Sequence, residues 1–155
     1  MTTTELIQAL ARSELGFELL SHQRTETAAE EAAALGISPE EVAKTIVLIG
    51  ENGWARIVLP ASERVDLRKV GQALGEGKRV RLANEEELVA AYPMFELGAV
   101  PPFGGPKGDR VLEDRRVAGR ASVVFEAGSH GDSIRMKTAH LLKLSGGEVA
   151  DVCRD

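Results

Sequence analysis

Two apolar, β-branched runs, Val42-Ala43-Lys44-Thr45-Ile46-Val47-Leu48-Ile49 and Trp54-Ala55-Arg56-Ile57-Val58-Leu59-Pro60, flank the tripeptide Glu51-Asn52-Gly53. Asn-Gly tolerates the positive φ that a tight hairpin turn demands, so the two runs are expected to pair as antiparallel strands. Their nearly continuous apolar character marks buried strands. The rest of the chain must therefore wrap an antiparallel core hairpin.

What surrounds the hairpin alternates between helix and strand signals. Leu6, Ala9, Leu10 and Ser13 share one helical face, with Thr2 to Thr4 as an N-cap and Gly16 as the stop. Phe17 to Ser21 reads as a short strand. Thr25 or Glu26 caps an alanine-rich helix that ends at Leu35-Gly36. Ser38-Pro39-Glu40-Glu41 reads as a single turn with Pro39 at its first helical position. Asp66 caps a helix to Leu74, Lys78 to Ala83 alternates as a strand, and Asn84 caps a helix to Ala91. Val111-Leu112 reads as a short strand and Glu113-Asp114-Arg115-Arg116 as a charged turn. Ala121 to Gly128 and Ser133 to Lys137 form a second hairpin across Ser129-His130-Gly131-Asp132. Thr138 caps a last helix to Leu144, and the final eight residues are expected to fray. Several connections are too short for parallel crossovers. The expectation is a mixed α/β (α+β) fold: one domain over residues 1–155, with a mixed, largely antiparallel sheet and surrounding helices.

Composition bounds the function. At 155 residues and 43% hydrophobic content the chain can bury a core without disulfide staples. Cys153 is the only cysteine, which fits a reducing, cytoplasmic setting. The first residues lack the basic and apolar regions of a signal peptide, and no apolar run reaches the length of a membrane span. A net charge of −5 argues against coating nucleic acid, though not against gripping one nucleotide end.

Several chemistries find no residues to carry them. The three histidines, His22, His130 and His140, and Cys153 do not fall at metal-ligand spacing. Gly75-Glu76-Gly77-Lys78 lacks the first glycine and the trailing Ser/Thr of a phosphate loop. There is no dinucleotide fingerprint and no nucleophile elbow.

Three features remain. Lys44 at the head of a buried strand reads either as a lysine snorkelling to water or as an anchor for phosphate or carboxylate. Leu97-Gly98-Ala99-Val100-Pro101-Pro102-Phe103-Gly104-Gly105-Pro106 is neither helix nor central strand. It is either a rigid turn or a loop that presents backbone groups to a ligand. His130 and Asp132 read as a solvated hairpin corner or as part of a site.

Together these residues resemble the YbaK/ProX family, bacterial aminoacyl-tRNA deacylases related to the editing domain of prolyl-tRNA synthetases. The resemblance rests on Thr25-Glu26-Thr27-Ala28-Ala29 and on Ile37 through Val42-Ala43-Lys44-Thr45-Ile46-Val47. It continues through Gly98-Ala99-Val100-Pro101-Pro102-Phe103-Gly104, Phe125-Glu126-Ala127-Gly128-Ser129-His130 and Ile134-Arg135-Met136. By that resemblance Lys44 is the functional lysine and Gly98 to Pro102 the G-x-x-x-P loop. Lys44 and Gly98 are the expected catalytic groups. Ala99, Val100, Pro101, Pro102, Phe103, Thr25, His130 and Asp132 are expected around the substrate, with His130 on the amino-acid side.

The implied activity is hydrolysis of the aminoacyl ester of mischarged tRNA, acting in trans, with Cys- or Ala-tRNA(Pro) as the familiar substrates. The implied mechanism needs no metal and no cofactor and is substrate-assisted, with the terminal ribose hydroxyl helping to activate water. The implied partners are the aminoacylated 3′ end and a delivering synthetase or elongation factor. The competing reading is a non-catalytic module that binds aminoacyl-nucleotide ends or a small anion.

Overall fold

The computed structural model describes residues 3–76, 79–104 and 108–155. In chain order the elements are α1 (Thr3–Arg12), β1 (Phe17–Ser21), α2 (Ala28–Leu35), a 3-10 turn (Pro39–Glu41), β2 (Ala43–Gly50) and β3 (Gly53–Pro60). There follow α3 (Leu67–Leu74), β4 (Arg81–Leu82), α4 (Glu85–Ala91), β5 (Arg110–Asp114) and α5 (Arg115–Ala118). The last four are β6 (Ser122–Ser129), β7 (Asp132–Lys137), α6 (Thr138–Ser145) and β8 (Glu148–Ala150).

β2 and β3 pair antiparallel from Ala43↔Pro60 to Gly50↔Gly53, so the hairpin closes over Glu51 and Asn52. It is the centre of a five-stranded sheet ordered β4-β2-β3-β5-β8. The β1-β7-β6 strands form a separate three-stranded antiparallel sheet. The fold is thus mixed α/β and largely antiparallel, but its strands lie in two sheets. β5 runs parallel to both β3 and β8. A bridge from Val42 to Val124 brings the head of β2 against β6. Apolar side chains fill the space between: Leu6, Leu10, Ala43, Val58, Phe125 and Ile134 form one cluster. The small Ala32 of α2 packs on Val42 and Val124, where a larger side chain would hold the helix off.

Most caps follow from sequence. Gly36 and Gly75 end α2 and α3 in the left-handed region. Ser38 with Glu41, and Asn84 with Glu87, each form a capping box.

Other expectations need correction. α1 ends before Glu14, which takes φ 64, so Gly16 is not its stop. The α2 cap is Thr27, whose side chain accepts from the Glu30 amide, rather than Thr25 or Glu26. Of the expected strand from Lys78 only Arg81–Leu82 pairs, while Val111-Leu112 extends to all of β5. Glu113 and Asp114 finish that strand, buried, and Asp114 caps α5 in place of the expected charged turn. Thr138 does not cap α6: its hydroxyl donates to the Arg120 carbonyl. The tail does not fray. β8 pairs with β5, and Val152 and Cys153 are fully buried. The Thr2 part of the first cap, Gly77 and Lys78 of the phosphate-loop hint, and Gly105 and Pro106 lie outside the described residues.

Candidate functional site

A cavity of about 370 Å³ opens where the head of β2, the start of α2, α4, β6 and the loop after α4 converge. Its walls include Lys44 and Val47 on β2, Thr27 at the α2 cap, Leu88 on α4, Glu126 on β6 and the run Gly98-Ala99-Val100. Residues more than fifty positions apart in the chain thus share one surface. The β2 register explains why: Lys44 lies beyond the point where β4 stops covering β2, since β4 pairs only with Leu48 and Ile49.

Lys44 is half-buried. Burial lowers its pKa from the ordinary value, and nearby Arg64 pushes in the same direction. Among the described residues no carboxylate lies within ion-pair distance of its ammonium.

The Gly98 loop is held from below. Gly98 takes φ 85, a conformation that favours glycine. The Ala99 amide donates to the Glu96 carbonyl at 3.0 Å, and the Glu96 amide to the Gly128 carbonyl at 2.8 Å. Arg56, buried in β3, donates to the carbonyls of Pro101 (2.8 Å) and Gly104 (2.7 Å) and to both oxygens of Asp109 (3.0 Å each). Tyr92 donates its hydroxyl to Asp109 as well, and the guanidinium lies 5.4 Å from the Tyr92 ring centroid.

This scaffold divides the expected loop residues in two. Gly98, Ala99 and Val100 line the cavity. Pro101, Pro102 and Phe103 are buried beneath it, and Phe103 packs edge-on to Phe125 at 5.8 Å. They shape the loop and lie off the cavity surface. His130 is also off that surface: its ring is only 2% exposed, with Nδ1 2.8 Å from Glu126 Oε2 and Nε2 2.7 Å from the Leu97 carbonyl. Thr25 is buried beside it, and its amide donates to the His130 carbonyl at 3.1 Å. Asp132 accepts from the Ser129 hydroxyl at 2.7 Å within the turn.

The structure adds residues that sequence reasoning missed. Glu126 lines the cavity, and burial pushes its carboxyl up to about 7, against the pull of His130. Its signal was a lone charge in the apolar run Val123-Val124-Phe125-Glu126-Ala127. Arg56 likewise interrupts an apolar strand, but its partner Asp109 is distant in sequence and carries no motif. Among the described residues no cluster of three or more His, Cys, Asp or Glu side chains is placed to hold a metal. Among the described residues no helix is long and apolar enough to cross a membrane.

The fold is a mixed α/β domain with a lysine and a glycine loop on one cavity, and comparison with known proteins says which family it belongs to. Residues 22–144 match the model of the aminoacyl-tRNA editing domain, and the chain belongs to that family, the YbaK-type aminoacyl-tRNA deacylases. Among relatives it is similar to EbsC of Enterococcus faecalis, a proposed Cys-tRNA(Pro)/Cys-tRNA(Cys) deacylase. The two are 26% identical over 84% of this chain and 77% of EbsC. It is 31% identical to a proline–tRNA ligase of Acidithiobacillus ferrooxidans over 67% of this chain, a region that makes up 18% of the ligase. The crystal structure of a proposed trans-editing enzyme for prolyl tRNA synthetase superposes with a TM-score of 0.87. It is 26% identical and covers 100% of this chain and 99% of that one.

Proposed function

We propose that this chain removes the wrong amino acid from mischarged tRNA in trans, by hydrolysing the ester to the terminal ribose. One observation carries the reading: Lys44 and the run Gly98-Ala99-Val100 line a single cavity of about 370 Å³. A compact cation suits the terminal phosphate or ribose region. Backbone amides suit an ester carbonyl whose oxygen gains charge as water adds. Water attacks the carbonyl carbon, the bond to the ribose oxygen breaks, and that oxygen takes up a proton. The neighbouring ribose hydroxyl helps activate the water, so the protein contributes orientation and fixed dipoles.

The cavity is small and mostly apolar, and its walls separate amino acids by size. One methylene is worth only ~1–3 kcal/mol in such a pocket. Small residues on proline tRNA are the first candidates: cysteine, as in the name of the EbsC relative, and alanine. The net charge of −5 keeps the hold on the tRNA body weak, so a synthetase or elongation factor in the cytoplasm delivers the substrate. The test is a panel of mischarged tRNAs. Cleavage of at least one ester well above its spontaneous rate supports the proposal. Binding of aminoacylated ends without cleavage of any would instead leave a non-catalytic binding module.

A further inference from the structure

Glu126 lines the cavity, His130 lies one layer beneath it, and the pair has no part in the hydrolysis as described above. Each ring nitrogen of His130 faces an acceptor. The Leu97 carbonyl, 2.7 Å from Nε2, can only accept, so Nε2 carries a hydrogen. Nδ1 and Glu126 Oε2, 2.8 Å apart, then share a second one. The pair therefore holds two protons, as imidazolium with carboxylate or as neutral imidazole with carboxylic acid. Nε2–H points at Leu97 in both forms.

The Leu97–Gly98 peptide is trans, as is every other described one. In a trans peptide the C=O and the following N–H point in opposite directions. With the Leu97 carbonyl turned down to His130, the Gly98 amide is turned away from it, and Gly98 lines the cavity. The neighbouring Ala99 amide is already committed to the Glu96 carbonyl. His130 cannot drift: its own amide donates to Glu96 Oε2 at 2.9 Å, and its carbonyl accepts from Thr25. Gly128, two residues before it, sits so close to Phe95 that a Cβ there would lie 2.5 Å from the ring.

We infer that Glu126 and His130 are a two-proton positioning pair that holds the Leu97–Gly98 peptide with its amide presented to the cavity. This rests on the proposal that the cavity hydrolyses an aminoacyl ester. His130 then acts through the loop rather than by touching the amino acid, and Glu126 sets the tautomer of His130.

A pH dependence follows. When the pair loses one proton, the Glu126 carboxylate claims the remaining hydrogen on Nδ1. Nε2 then offers a lone pair to the Leu97 carbonyl, and the bond that holds the loop is lost. Glu96, which is paired with Arg24 at 3.1 Å, and Glu26 place negative charge beside the pair and favour retention of the proton; Glu31, whose own carboxyl burial pushes up to about 7, adds to them only as it ionises. His22 acts on Glu31 in the opposite sense. Burial alone would lower the His130 pKa, but the Leu97 carbonyl and the Glu126 carboxylate outweigh it and leave it raised. Activity is therefore expected to fall as pH rises above neutrality.

The test uses the full chain, Glu126→Gln and Glu126→Ala, with two readouts. The first, without tRNA, follows the His130 ring nitrogens and the Gly98 amide by ¹⁵N NMR across pH 5 to 9. The second is the pH profile of kcat and KM for deacylation, corrected for spontaneous hydrolysis. A glutamine amide donates to Nδ1 and locks the hydrogen on Nε2. Glu126→Gln should thus keep kcat within roughly threefold near pH 6.5 and lose the alkaline decline. Glu126→Ala frees the tautomer and should lower kcat by about tenfold to a hundredfold, approaching the loss of one oxyanion donor, with a smaller change in KM. The Gly98 amide should shift in step with His130 titration in the wild type and stay still in Glu126→Gln.

Glutamine as damaging as alanine would overturn the inference, because the carboxylate itself would then act on the reaction. A Gly98 resonance indifferent to His130 would overturn it too. If the wild type cleaves no ester, the proposed function fails, and the NMR readout still decides the pair.

Discussion

Arg56 reaches from the middle of β3 to the Pro101 carbonyl, Nη1 to oxygen 2.8 Å, and so ties the Gly98 loop to the core hairpin. The same guanidinium holds Gly104 and forms a bidentate pair with Asp109, whose side chain is fully buried. Removing one partner of a buried ion pair strands the other, at a cost of about 3–5 kcal/mol. Arg56→Ala should lower stability by that amount in urea denaturation. Arg56→Lys should recover part of the stability but not the loop geometry, because an ammonium cannot span four acceptors. Deacylation by the lysine variant should therefore fall further than its stability does. Equal activity in Arg56→Lys and wild type would detach this clamp from the site.

Gly98 has room for a methyl group, since a Cβ there would sit 3.5 Å from His130 Cε1. Its φ of 85 is what excludes side chains. Gly98→Ala should cost about 1–2 kcal/mol through left-handed strain, and Gly98→Val more. Relief of that strain swings the Leu97–Gly98 peptide, so kcat should drop by more than tenfold while thermal unfolding stays cooperative. Normal turnover in Gly98→Val would show that this amide is not used.

Glu113, next to last in β5, is almost wholly buried, and burial pushes its carboxyl up to about 7. The folded state therefore holds a proton that the unfolded chain releases near its ordinary value of 4.5. Stability from this group is present below that value and is lost as pH rises toward about 7. Glu113→Gln should be stabilising by about 2 kcal/mol at pH 8 and close to neutral at pH 5. Denaturant midpoints at the two pH values check this, and a benefit equal at both would contradict it.

Binding to the tRNA body should be weak, because a chain of net charge −5 offers few phosphate contacts, and what hold there is should be electrostatic and so screened by salt. Raising salt should increase KM much more than it lowers kcat. A KM that ignores salt would place the affinity elsewhere.

Much of this architecture was legible because it is local. The Glu51-Asn52-Gly53 turn, the Ser38 and Asn84 capping boxes and the helix-ending Gly36 and Gly75 each act over a few residues. The parallel β5–β8 pairing was not legible, since nothing in Glu148-Val149-Ala150 specifies a partner. Val152 and Cys153 gain their burial only once that strand docks. Thr27 displaced Thr25 as the α2 cap because the Thr25 backbone is engaged by the His130 carbonyl, a contact across the fold. The site divides in the same way. Lys44 and Gly98 stood out by strand position and loop composition. Glu126, Arg56 and the division of the loop between Val100 and Pro101 depend on which side of the loop faces the core.

The most direct test of the site is the rate of amino-acid release from mischarged proline tRNA by the wild type and by Lys44→Ala, measured alongside their thermal unfolding. The account predicts release well above the spontaneous rate for the wild type. For the variant it predicts loss of at least a hundredfold, on the order of one preorganised electrostatic contact, with the unfolding temperature nearly unchanged. Undiminished release by a folded Lys44→Ala would contradict it.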